Sequence, residues 1–464
     1  MTIQRHRLVI VGGSDAGIAA GLRAQQLDPS IEPLVVVADA YPNFSICGLP
    51  FYLSGETPDW RDLAHRSRSD MKAAGLRFRL DHTATHIDAD RHALTVRDPD
   101  GDEHMIGYDT LIVGTGAIPA RPPIHGLDTP GVHVLHSMDH VFAVHDRITL
   151  PSTRTAIIVG AGYIGLELAD AFSHRGLDVT VIEMLDQVLA TVDAELAAPL
   201  HDTLTRHGVT VATGVTVHAI EPAGTHLLVV SDDDVNRTAD IVVVAAGVRP
   251  NTELARTAGA ALGDHGAIAV DRRMRSDVPD IYAAGDCVET WHALLEQPTY
   301  LPLGTTAHKQ GRVAGANAAG SDTRYAGSLG SQAVKIFDRV VARTGLRPHE
   351  AAAHGYDPTT VDVTVDDHKA YYPGATPLRI RLTADADGLL LGAQLLGHID
   401  AEVAKRCDLV ATAIHRRLTV ADLLDLDLTY TPPLSAPWDP VQQVAQEWEA
   451  QQPRGLAMTG SAPG

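Results

Sequence analysis

The sequence predicts an α/β fold with two interleaved Rossmann-like nucleotide-binding domains and a C-terminal domain of another kind. Two segments, 7–26 and 155–176, each read as a buried strand, a glycine turn and a helix, and an apolar strand follows each one. Strand–helix–strand units with glycines at the first turn are typical of dinucleotide binding. Two of them in one chain indicate two dinucleotide sites.

The connecting segments indicate how the two domains are joined. "YDTLIVGTGAIPARPP" (108–123) and "ADIVVVAAGVRPN" (239–251) each contain a strand, a turn of small residues and a proline. We interpret them as the crossings between interleaved domains. Beyond residue 328 the pattern changes: "AVKIFDRVVARTGL" (333–346) predicts a pair of strands, and "AEVAKRCDLVATAIHRRL" (401–418) predicts an amphipathic helix. The C-terminal domain is therefore predicted to be α+β.

The second nucleotide unit has the complete glycine pattern. Gly160, Gly162 and Gly165 form G-x-G-x-x-G after a strand, and Glu183 ends the next strand. A carboxylate there accepts the ribose hydroxyls of an adenosine, and the amino end of the helix faces the pyrophosphate. No basic residue follows Glu183 in "EMLDQ" to hold a 2′-phosphate. NADH is therefore favoured, and NADPH is the alternative.

The first unit departs from this pattern. Gly12 and Gly17 are present, but Ser14 takes the middle glycine position, and Asp15 follows it. The acidic residue, Asp39, lies 27 positions after Gly12. We still expect Asp39 to bind a ribose.

Composition limits the class of protein. The chain has 464 residues, with 58 acidic and 37 basic side chains and a formal net charge of −21. This argues against a nucleic acid or an anionic membrane as partner, since both require a basic surface. Three widely spaced cysteines do not form a disulfide framework, and no apolar run is long enough for a signal peptide or a membrane span. We expect a cytoplasmic protein.

With these motifs in order, and with "VPDIYAAGDC" (278–287) and "FSICGLPFYLSG" (44–55), the chain resembles the pyridine nucleotide-disulfide oxidoreductases. The segment around Cys47 resembles the branch with a single redox cysteine, which contains coenzyme A-disulfide reductases, NADH oxidases and NADH peroxidases. The segments 371–382, 391–397 and 427–441 resemble that branch's dimerisation domain.

The resemblance implies FAD in the first unit, NAD(P)H in the second and a homodimer. The implied domains are 1–117 and 247–327 for FAD, 118–246 for NAD(P)H, 328–445 for dimerisation and 446–464 as a disordered tail. Asp286 of "AAGD" is implied to bind the ribityl–pyrophosphate region of FAD. The other expected cofactor contacts, beyond those named above, are Thr115, Gly116, Gly247, Gly285, Leu303 and Ala307.

Cys47 is the predicted redox thiol. Tyr52 stands where disulfide reductases with a Cys-x4-Cys pair have their second cysteine, so Cys47 must be oxidised with an external group. We expect it at the start of a helix, whose amino end lowers the pKa of a thiol. A mixed disulfide, a persulfide and a sulfenic acid are all compatible with one thiol beside a flavin. Cys287 and Cys407 are expected to be packing residues.

Some residues match the single-cysteine branch and others depart from it, and together they favour a low-molecular-weight disulfide or persulfide as the substrate. Tyr371 and Tyr430 match two catalytic tyrosines of the branch, and His308 and Asn43 occupy substrate-contacting positions. Asp15 replaces the histidine of the oxidases and peroxidases, which argues against those activities. Family contacts to coenzyme A are replaced at Gln26, Asn43, Ile46 and Trp438. Phosphate contacts from the charged segment 61–72 (Arg61, Arg66, Arg68 and Lys72) are an alternative, but a solvated charged surface is the favoured interpretation of that segment.

Three alternatives remain open. They are an NADH oxidase, a reductase that passes electrons to a ferredoxin, and a flavin-binding redox sensor without turnover. His133, His136 and His140 have helix-compatible spacing, but metal has no role in flavin–thiol transfer and we expect no metal site.

Overall fold

The computed structural model describes residues 6–233 and 235–452. They form two compact units. One comprises residues up to 191 together with 201–328, and the other comprises 192–200 together with the residues from 329 onward.

The first unit alternates short strands with helices along the chain. Its strands are β1 (Leu8–Val11), β2 (Leu34–Val36), β3 (Arg77–Arg79), β4 (Thr83–Asp88), β5 (Ala93–Arg97), β6 (Glu103–Gly107), β7 (Thr110–Val113), β8 (Ala117–Pro119), β9 (Val132–His133), β10 (Thr155–Val159), β11 (Asp178–Glu183), β12 (Thr210–Thr213), β13 (Val217–Ala223), β14 (His226–Ser231), β15 (Arg237–Ala239), β16 (Ile241–Val244), β17 (Val248–Pro250), β18 (Ile281–Ala283), β19 (Thr290–His292) and β20 (Gln297–Thr299). Its helices are α1 (Asp15–Leu27), α2 (Leu49–Ser54), α3 (Arg68–Ala73), α4 (Met138–Ile148), α5 (Tyr163–His174), α6 (Ala194–Arg206, shared with the second unit), α7 (Glu253–Thr257) and α8 (Gly304–Ala318).

Two parallel sheets organise the first unit. Their strand orders are β18-β7-β1-β2-β3 and β12-β11-β10-β16-β9, and every pairing within them is parallel. The central strands β1 (LVIV) and β16 (IVVV) are buried along their whole length, as expected when helices cover both faces of a parallel sheet. The carboxyl ends of β1 and β10 lead into the two glycine turns. The predicted pair of Rossmann-like sheets is confirmed.

Helices α1 and α8 pack closely because both present small residues. A Cβ on Gly311 would lie 2.1 Å from the carbonyl oxygen of Ala16, and one on Gly315 would lie 2.0 Å from that of Ala20. Only glycine therefore permits this separation of the two helices. The contact fixes the start of α1 relative to α8.

The second unit is built on an antiparallel sheet. Its strands are β21 (Gln332–Ile336), β22 (Arg339–Gly345), β23 (Thr359–Asp366), β24 (Pro377–Ala384) and β25 (Leu390–His398), and its further helices are α9 (Pro348–Ala353), α10 (Val403–His415), α11 (Val420–Leu424) and α12 (Pro440–Gln451). The strand order is β21-β22-β25-β24-β23. Helix α10 packs on β22 and β25, and α12 packs on β23 and β24. The predicted strand pair and amphipathic helix are present.

The chain end differs from the expectation. Residues 446–451, which the sequence predicts as part of a disordered tail, belong to α12. Trp448 explains the difference, because its side chain is only 6% exposed and anchors this last part of the helix. Residues 453–464 of the predicted tail lie outside the described residues. No helix in the described part of the chain is long and apolar enough to span a membrane.

Candidate active site

The first glycine turn is held in a shape that only glycine allows at two positions. Gly12 has φ +111°, and a Cβ there would lie 2.0 Å from the carbonyl oxygen of Gly114. A Cβ on Gly17 would lie 2.0 Å from the oxygen of Gly12. Helix α1 therefore starts directly against the sheet, with the amide groups of its first turn available to an anion.

Polar groups beside this turn fit FAD. Asn43 is only 3% exposed, and its Nδ2 has no hydrogen-bond partner among the described residues. A buried amide donor of this kind requires an acceptor that the protein does not supply. Burial and the nearby Asp15 raise the pKa of Asp286 to about 6. A ligand rich in hydroxyl groups and acceptors, as FAD is, would satisfy both side chains.

Gln310 is a positioning residue that was not predicted from the sequence. Its side chain is fully buried, its Oε1 accepts a hydrogen bond of 2.9 Å from the amide of Gly285, and its Nε2 donates to Thr290. The bond fixes the turn that carries Asp286. Sequence spacing gave no signal for this contact, because the two residues are 25 positions apart on different elements.

The second glycine turn is held by the acidic residue that follows it. Oε2 of Glu183 accepts a hydrogen bond of 2.6 Å from the amide of Ala161, inside the turn, and Oε1 accepts from Leu185. Glu183 is 9% exposed. The carboxylate therefore lies next to the turn, where the sequence predicts that it binds a ribose. In contrast, Asp39 in the first nucleotide unit accepts a hydrogen bond from the amide of Tyr41, two residues away.

Cys47 lies in a 3-10 turn, Ile46–Gly48, immediately before α2. Its side chain is exposed, yet enough protein surrounds it at longer range that desolvation is the main cause of a raised thiol pKa. The carboxylates of Glu167, Asp15 and Asp286 raise this pKa further. The expected lowering of the pKa by the helix amino end is therefore wrong for the chain alone. Helix α2 has only six residues, and its dipole does not offset desolvation and three carboxylates.

Tyr52 fills the position where a second cysteine would lie. Its side chain is 8% exposed and stacks on His145, with 4.8 Å between the ring centroids. The other two cysteines are unsuited to a redox role: Cys287 is fully buried and Cys407 is 3% exposed. Burial raises the pKa of Cys407 to about 12. Both behave as packing residues, as expected.

Tyr163 and Glu167 are the residues of the second nucleotide unit that lie near Cys47. They lie on the first turns of α5, and Glu167 is the charge with the largest effect on the Cys47 thiol. Desolvation raises the pKa of Tyr163, and the nearby Cys47 and Asp286 raise it further. The guanidinium of Arg175, just after α5, donates to the carbonyl of Leu53 in α2. Neither Tyr163 nor Glu167 was assigned a role from the sequence.

Asp15 forms an ion pair with His308. Their Oδ1 and Nε2 atoms are 3.2 Å apart, and this hydrogen bond raises the pKa of His308. His65 Nε2 lies 3.9 Å from the same carboxylate oxygen. The carboxylate that replaces the expected histidine is therefore accompanied by two imidazoles from other parts of the chain.

In the second unit, Tyr371 and Tyr430 lie together on the surface. Their exposed fractions are 71% and 43%. Desolvation raises the pKa of Tyr430, and its hydrogen bond with Tyr371 raises it further. A backbone hydrogen bond of 3.3 Å from Lys369 to Pro432 joins the two loops that carry these tyrosines.

Arg406, on α10, anchors both tyrosine loops from beneath. Its Nη2 donates to the carbonyls of Asp367 (2.7 Å) and Leu434 (3.3 Å), and its Nε donates to Asp439. The residue is 7% exposed. A planar guanidinium with several donors is suited to holding three chain segments at once. Its position on a helix gave no sign of this in the sequence.

The remaining predicted cofactor residues occupy turns and helix starts in the first unit. Thr115 donates to the carbonyl of Asn251, which joins the two crossing segments. Gly116 and Gly247 have φ of +68° and +89°, with open space where a Cβ would be. Leu303 precedes the first residue of α8, and Ala307 is buried in its first turn. None of these observations tests a contact with a cofactor, so those assignments stay predictions.

Among the described residues, His133, His136 and His140 do not form a group whose ligand atoms are close enough to hold one metal ion. Desolvation lowers the pKa of each of the three, whose side chains are partly buried between β9 and α4. The group of side chains that could hold a metal ion in the described residues lies elsewhere, at Asp15, His65 and His308.

Two glycine turns on two parallel sheets, with a lone thiol beside residues of both, define a flavin-dependent nucleotide oxidoreductase. Residues 6–311 match the family described as pyridine nucleotide-disulphide oxidoreductase, and residues 331–440 match its dimerisation domain. The chain belongs to this family, whose members are enzymes that use FAD and NAD(P)H. The resemblance inferred from the sequence is confirmed.

Individual relatives agree along nearly the whole chain. The chain is 33% identical to an NAD(P)H sulfur oxidoreductase (CoA-dependent) of Pyrococcus abyssi, covering 95% of this chain and 97% of that one. It is 31% identical to an NADH oxidase of Methanocaldococcus jannaschii, covering 95% and 98%. An NAD-dependent persulfide reductase from A. fulgidus has a similar structure, with a TM-score of 0.91, 36% identity and coverage of 96% and 83%.

Proposed function

We propose that the protein reduces a low-molecular-weight disulfide or persulfide with electrons from NADH, through Cys47. The observation that carries this proposal is the exposed thiol of Cys47, placed between residues of both nucleotide units and without a second cysteine nearby. The relatives named as a sulfur oxidoreductase and a persulfide reductase support it.

The chemistry divides between the cofactor and the chain. Bound FAD supplies the means of taking a hydride from the nicotinamide and passing two electrons to sulfur. Cys47, as the thiolate, attacks one sulfur of the substrate, the S–S bond breaks, and one thiolate leaves. A disulfide substrate leaves a mixed disulfide on Cys47, and attack on the outer sulfur of a persulfide leaves a Cys47 persulfide. Two electrons from NADH and a proton then restore the cysteine and release the second thiol, or hydrogen sulfide in the case of the persulfide. Because desolvation raises the pKa of Cys47, the rate should increase with pH until the thiol is ionised.

Tyr430 is proposed to donate a proton to the leaving thiolate, with Tyr371 as its hydrogen-bond partner. A tyrosine phenol is protonated at neutral pH, as a donor must be, and the raised pKa of Tyr430 does not change this. We propose a homodimer in which the tyrosines of one subunit serve the cysteine of the other. The matching dimerisation domain and the exposed Leu434 and Trp438 near the tyrosines support this arrangement.

The substrate is proposed to be smaller or less phosphorylated than coenzyme A disulfide. Trp438 is 49% exposed and offers no cation where the family has a lysine. Gln26 likewise replaces an arginine, although Arg23 donates to its Oε1 at 2.7 Å and places a cation one turn earlier on α1. Coenzyme A disulfide turning over with a micromolar KM would overturn this proposal, and would show that the substitutions at Gln26, Asn43, Ile46 and Trp438 do not exclude coenzyme A.

NADH is the proposed electron donor, and the cytoplasm is the proposed location. Glu183 would repel a 2′-phosphate, and it is already fixed beside the turn by the amide of Ala161. No cation among the residues that follow it, 184–187, would offset that repulsion.

The test is Cys47→Ser. The variant should retain FAD and still accept one hydride per flavin from NADH in the absence of oxygen, since neither step requires the sulfur. It should lose disulfide and persulfide reduction by at least ~100-fold, as expected when a covalent nucleophile is removed. Cys407→Ala removes a buried thiol of the second unit and is the matched control. Full disulfide reductase activity in Cys47→Ser would refute the proposal, and intact NADH-dependent oxygen consumption alone would favour an oxidase.

A further inference from the structure

Asp15, His65 and His308 converge from three separate parts of the first unit. Asp15 is the first residue of α1, His65 lies between α2 and α3, and His308 is in α8. One ligand atom from each lies within 4.8 Å of the others. We propose that these three side chains form a binding site for a divalent transition-metal cation of the Zn²⁺ type.

The spacing of the ligand atoms fits such an ion. Zinc bonds to nitrogen and carboxylate oxygen of about 2.0–2.2 Å in a tetrahedral site place neighbouring ligand atoms about 3.3 Å apart. The Asp15–His308 separation is 3.2 Å and the Asp15–His65 separation is 3.9 Å. Small rotations of the two exposed imidazoles would bring all three atoms to bonding distance. Two histidines and one carboxylate leave a further coordination position open.

An ion pair alone explains only part of this arrangement. His308 is close enough to Asp15 for a hydrogen bond, but His65 at 3.9 Å is beyond hydrogen-bond range of the same oxygen. Both imidazoles nevertheless present Nε2 to one carboxylate oxygen, and their rings meet edge to face with centroids 6.0 Å apart. A cation between the three would bind all of them at once.

The backbone holds the three residues in place. The amide of His65 donates to the carbonyl of Asn43 (3.0 Å), and the amide of Asn43 donates to Gly13 (2.6 Å), which connects His65 to the first glycine turn. The close packing of α8 on α1, one turn after His308, fixes the other two residues relative to each other. The backbone therefore holds the three residues close together, and only side-chain rotation is needed to complete the site.

The position gives the site a chemical consequence. Asp15 is close enough to Cys47 to affect the thiol electrostatically. A bound cation would place positive charge on this side of Cys47, where the chain otherwise presents a carboxylate. No metal site was expected from the sequence, and the sequence separation of the three residues explains why it was not found.

The test measures Zn²⁺ binding to the FAD-loaded enzyme by equilibrium dialysis without substrate, so its result does not depend on the proposed reaction. One Zn²⁺ per chain should bind with a Kd in the micromolar range or below. His65→Asn should weaken binding by at least ~10-fold, and Co²⁺ should give the visible absorption of a tetrahedral site in the wild type but not in His65→Asn.

His104→Asn is the matched control. His104 pairs with Asp98 at 2.7 Å on another exposed surface of the same unit, and no second histidine pairs with Asp98 among the described residues. The control should leave both the stoichiometry and the Kd unchanged. Equal Zn²⁺ binding in the wild type and in His65→Asn would overturn the proposal, as would the absence of Zn²⁺ binding at roughly 100-fold molar excess.

Discussion

The two glycine turns have almost the same backbone but face different chemistry. Gly12 and Gly160 have φ of +111° and +109°, and each donates its amide to the strand that follows its helix, to Val36 (2.9 Å) and Ile182 (2.8 Å). In both turns a Cβ on the first glycine would collide with a neighbouring carbonyl oxygen, that of Gly114 or Ala245. The fold therefore requires glycine at the first position of the motif in both nucleotide units.

The middle position of the glycine motif does not require glycine. Ser14 has φ −96° and ψ −160°, and Gly162 has φ −70° and ψ 178°. Both are extended conformations that any residue adopts, so the serine changes the motif without changing the backbone. The first glycine therefore preserves the turn, whereas the later residues determine what it binds. Asp15 and Tyr163, the first residues of the two helices, are the clearest difference.

The largest effect should come from the first glycines. In Gly12→Ala and Gly160→Ala, alanine must adopt a strained positive φ, and its Cβ collides with the backbone. Each of these two causes lowers the free energy of unfolding by about 1–3 kcal/mol, so each substitution costs several kcal/mol in all. Gly12→Ala should yield protein without FAD. Gly160→Ala should keep FAD, measured by absorbance, but lose saturable NADH oxidation.

Gly208→Ala is the control for this pair. Gly208 has φ +84°, with open space where a Cβ would be, so it tests the conformational strain without the collision. It should retain FAD and bind NADH normally. Loss of both nucleotides in either turn variant would show that the two turns are not independent.

Asp286 provides a second test, because burial and the carboxylate of Asp15 in the first turn raise its pKa. With a pKa of about 6 in the folded chain against 3.8 ordinarily, the folded state without FAD holds a proton that the unfolded state loses. Stability therefore falls as pH rises from about 4 through 6 and stays low above it. Since one pKa unit corresponds to about 1.4 kcal/mol, the loss is at most about 3 kcal/mol.

Urea unfolding of the FAD-free protein at about pH 5 and pH 7.5 measures this effect. The wild type should lose more stability over that interval than Asp286→Asn, whose amide cannot ionise. Identical pH profiles for the two proteins would contradict the raised pKa. Asp286→Ala should in addition retain much less FAD than the wild type.

A smaller effect is expected at the acids that follow the two turns. Glu183→Gln keeps the shape of the side chain but removes the charge, so kcat/KM for NADH should fall roughly 10-fold, at the lower end of the about 1.5–3 kcal/mol expected for a hydrogen bond to a charged group. NADPH should be affected less, since its 2′-phosphate no longer meets a carboxylate. Asp39→Asn in the other unit should leave the NADH-to-NADPH ratio unchanged. A wild type with tenfold better kcat/KM for NADPH would overturn the NADH assignment.

Local sequence patterns were sufficient for the two sheets, the glycine turns and the lone cysteine. Each is encoded within about 30 residues, as an apolar strand, a turn and a helix, and Cys47 belongs to a continuous motif. The α10 helix and the β21–β22 pair were predicted for the same reason. The end of α12 was not, because burial of Trp448 depends on the sheet beneath it.

Features that depend on distant contacts were not predictable. The raised pKa of Cys47 arises from desolvation and from carboxylates on α5, on α1 and after β18, which meet only in the folded chain. The Asp15–His65–His308 group, the bond from Gln310 to Gly285 and the anchoring of the tyrosine loops by Arg406 likewise join residues far apart in sequence. Without a local pattern, charge and burial at these positions could not be assigned.

The smallest effect should come from completing the first motif with Ser14→Gly. Ser14 makes no side-chain cap bond among the described residues, and its extended backbone does not require glycine. Replacing serine by glycine at a helix N-cap costs only a few tenths of a kcal/mol. FAD affinity and the melting temperature, measured by fluorescence titration and calorimetry, should therefore remain close to those of the wild type. The reciprocal Gly162→Ser should also fold normally, because nothing lies within 4 Å of the added Cβ, but it should raise KM for NADH if the pyrophosphate lies against that glycine. A large loss of FAD in Ser14→Gly would show that the serine hydroxyl binds the cofactor, and that the middle position determines binding in the first turn as well.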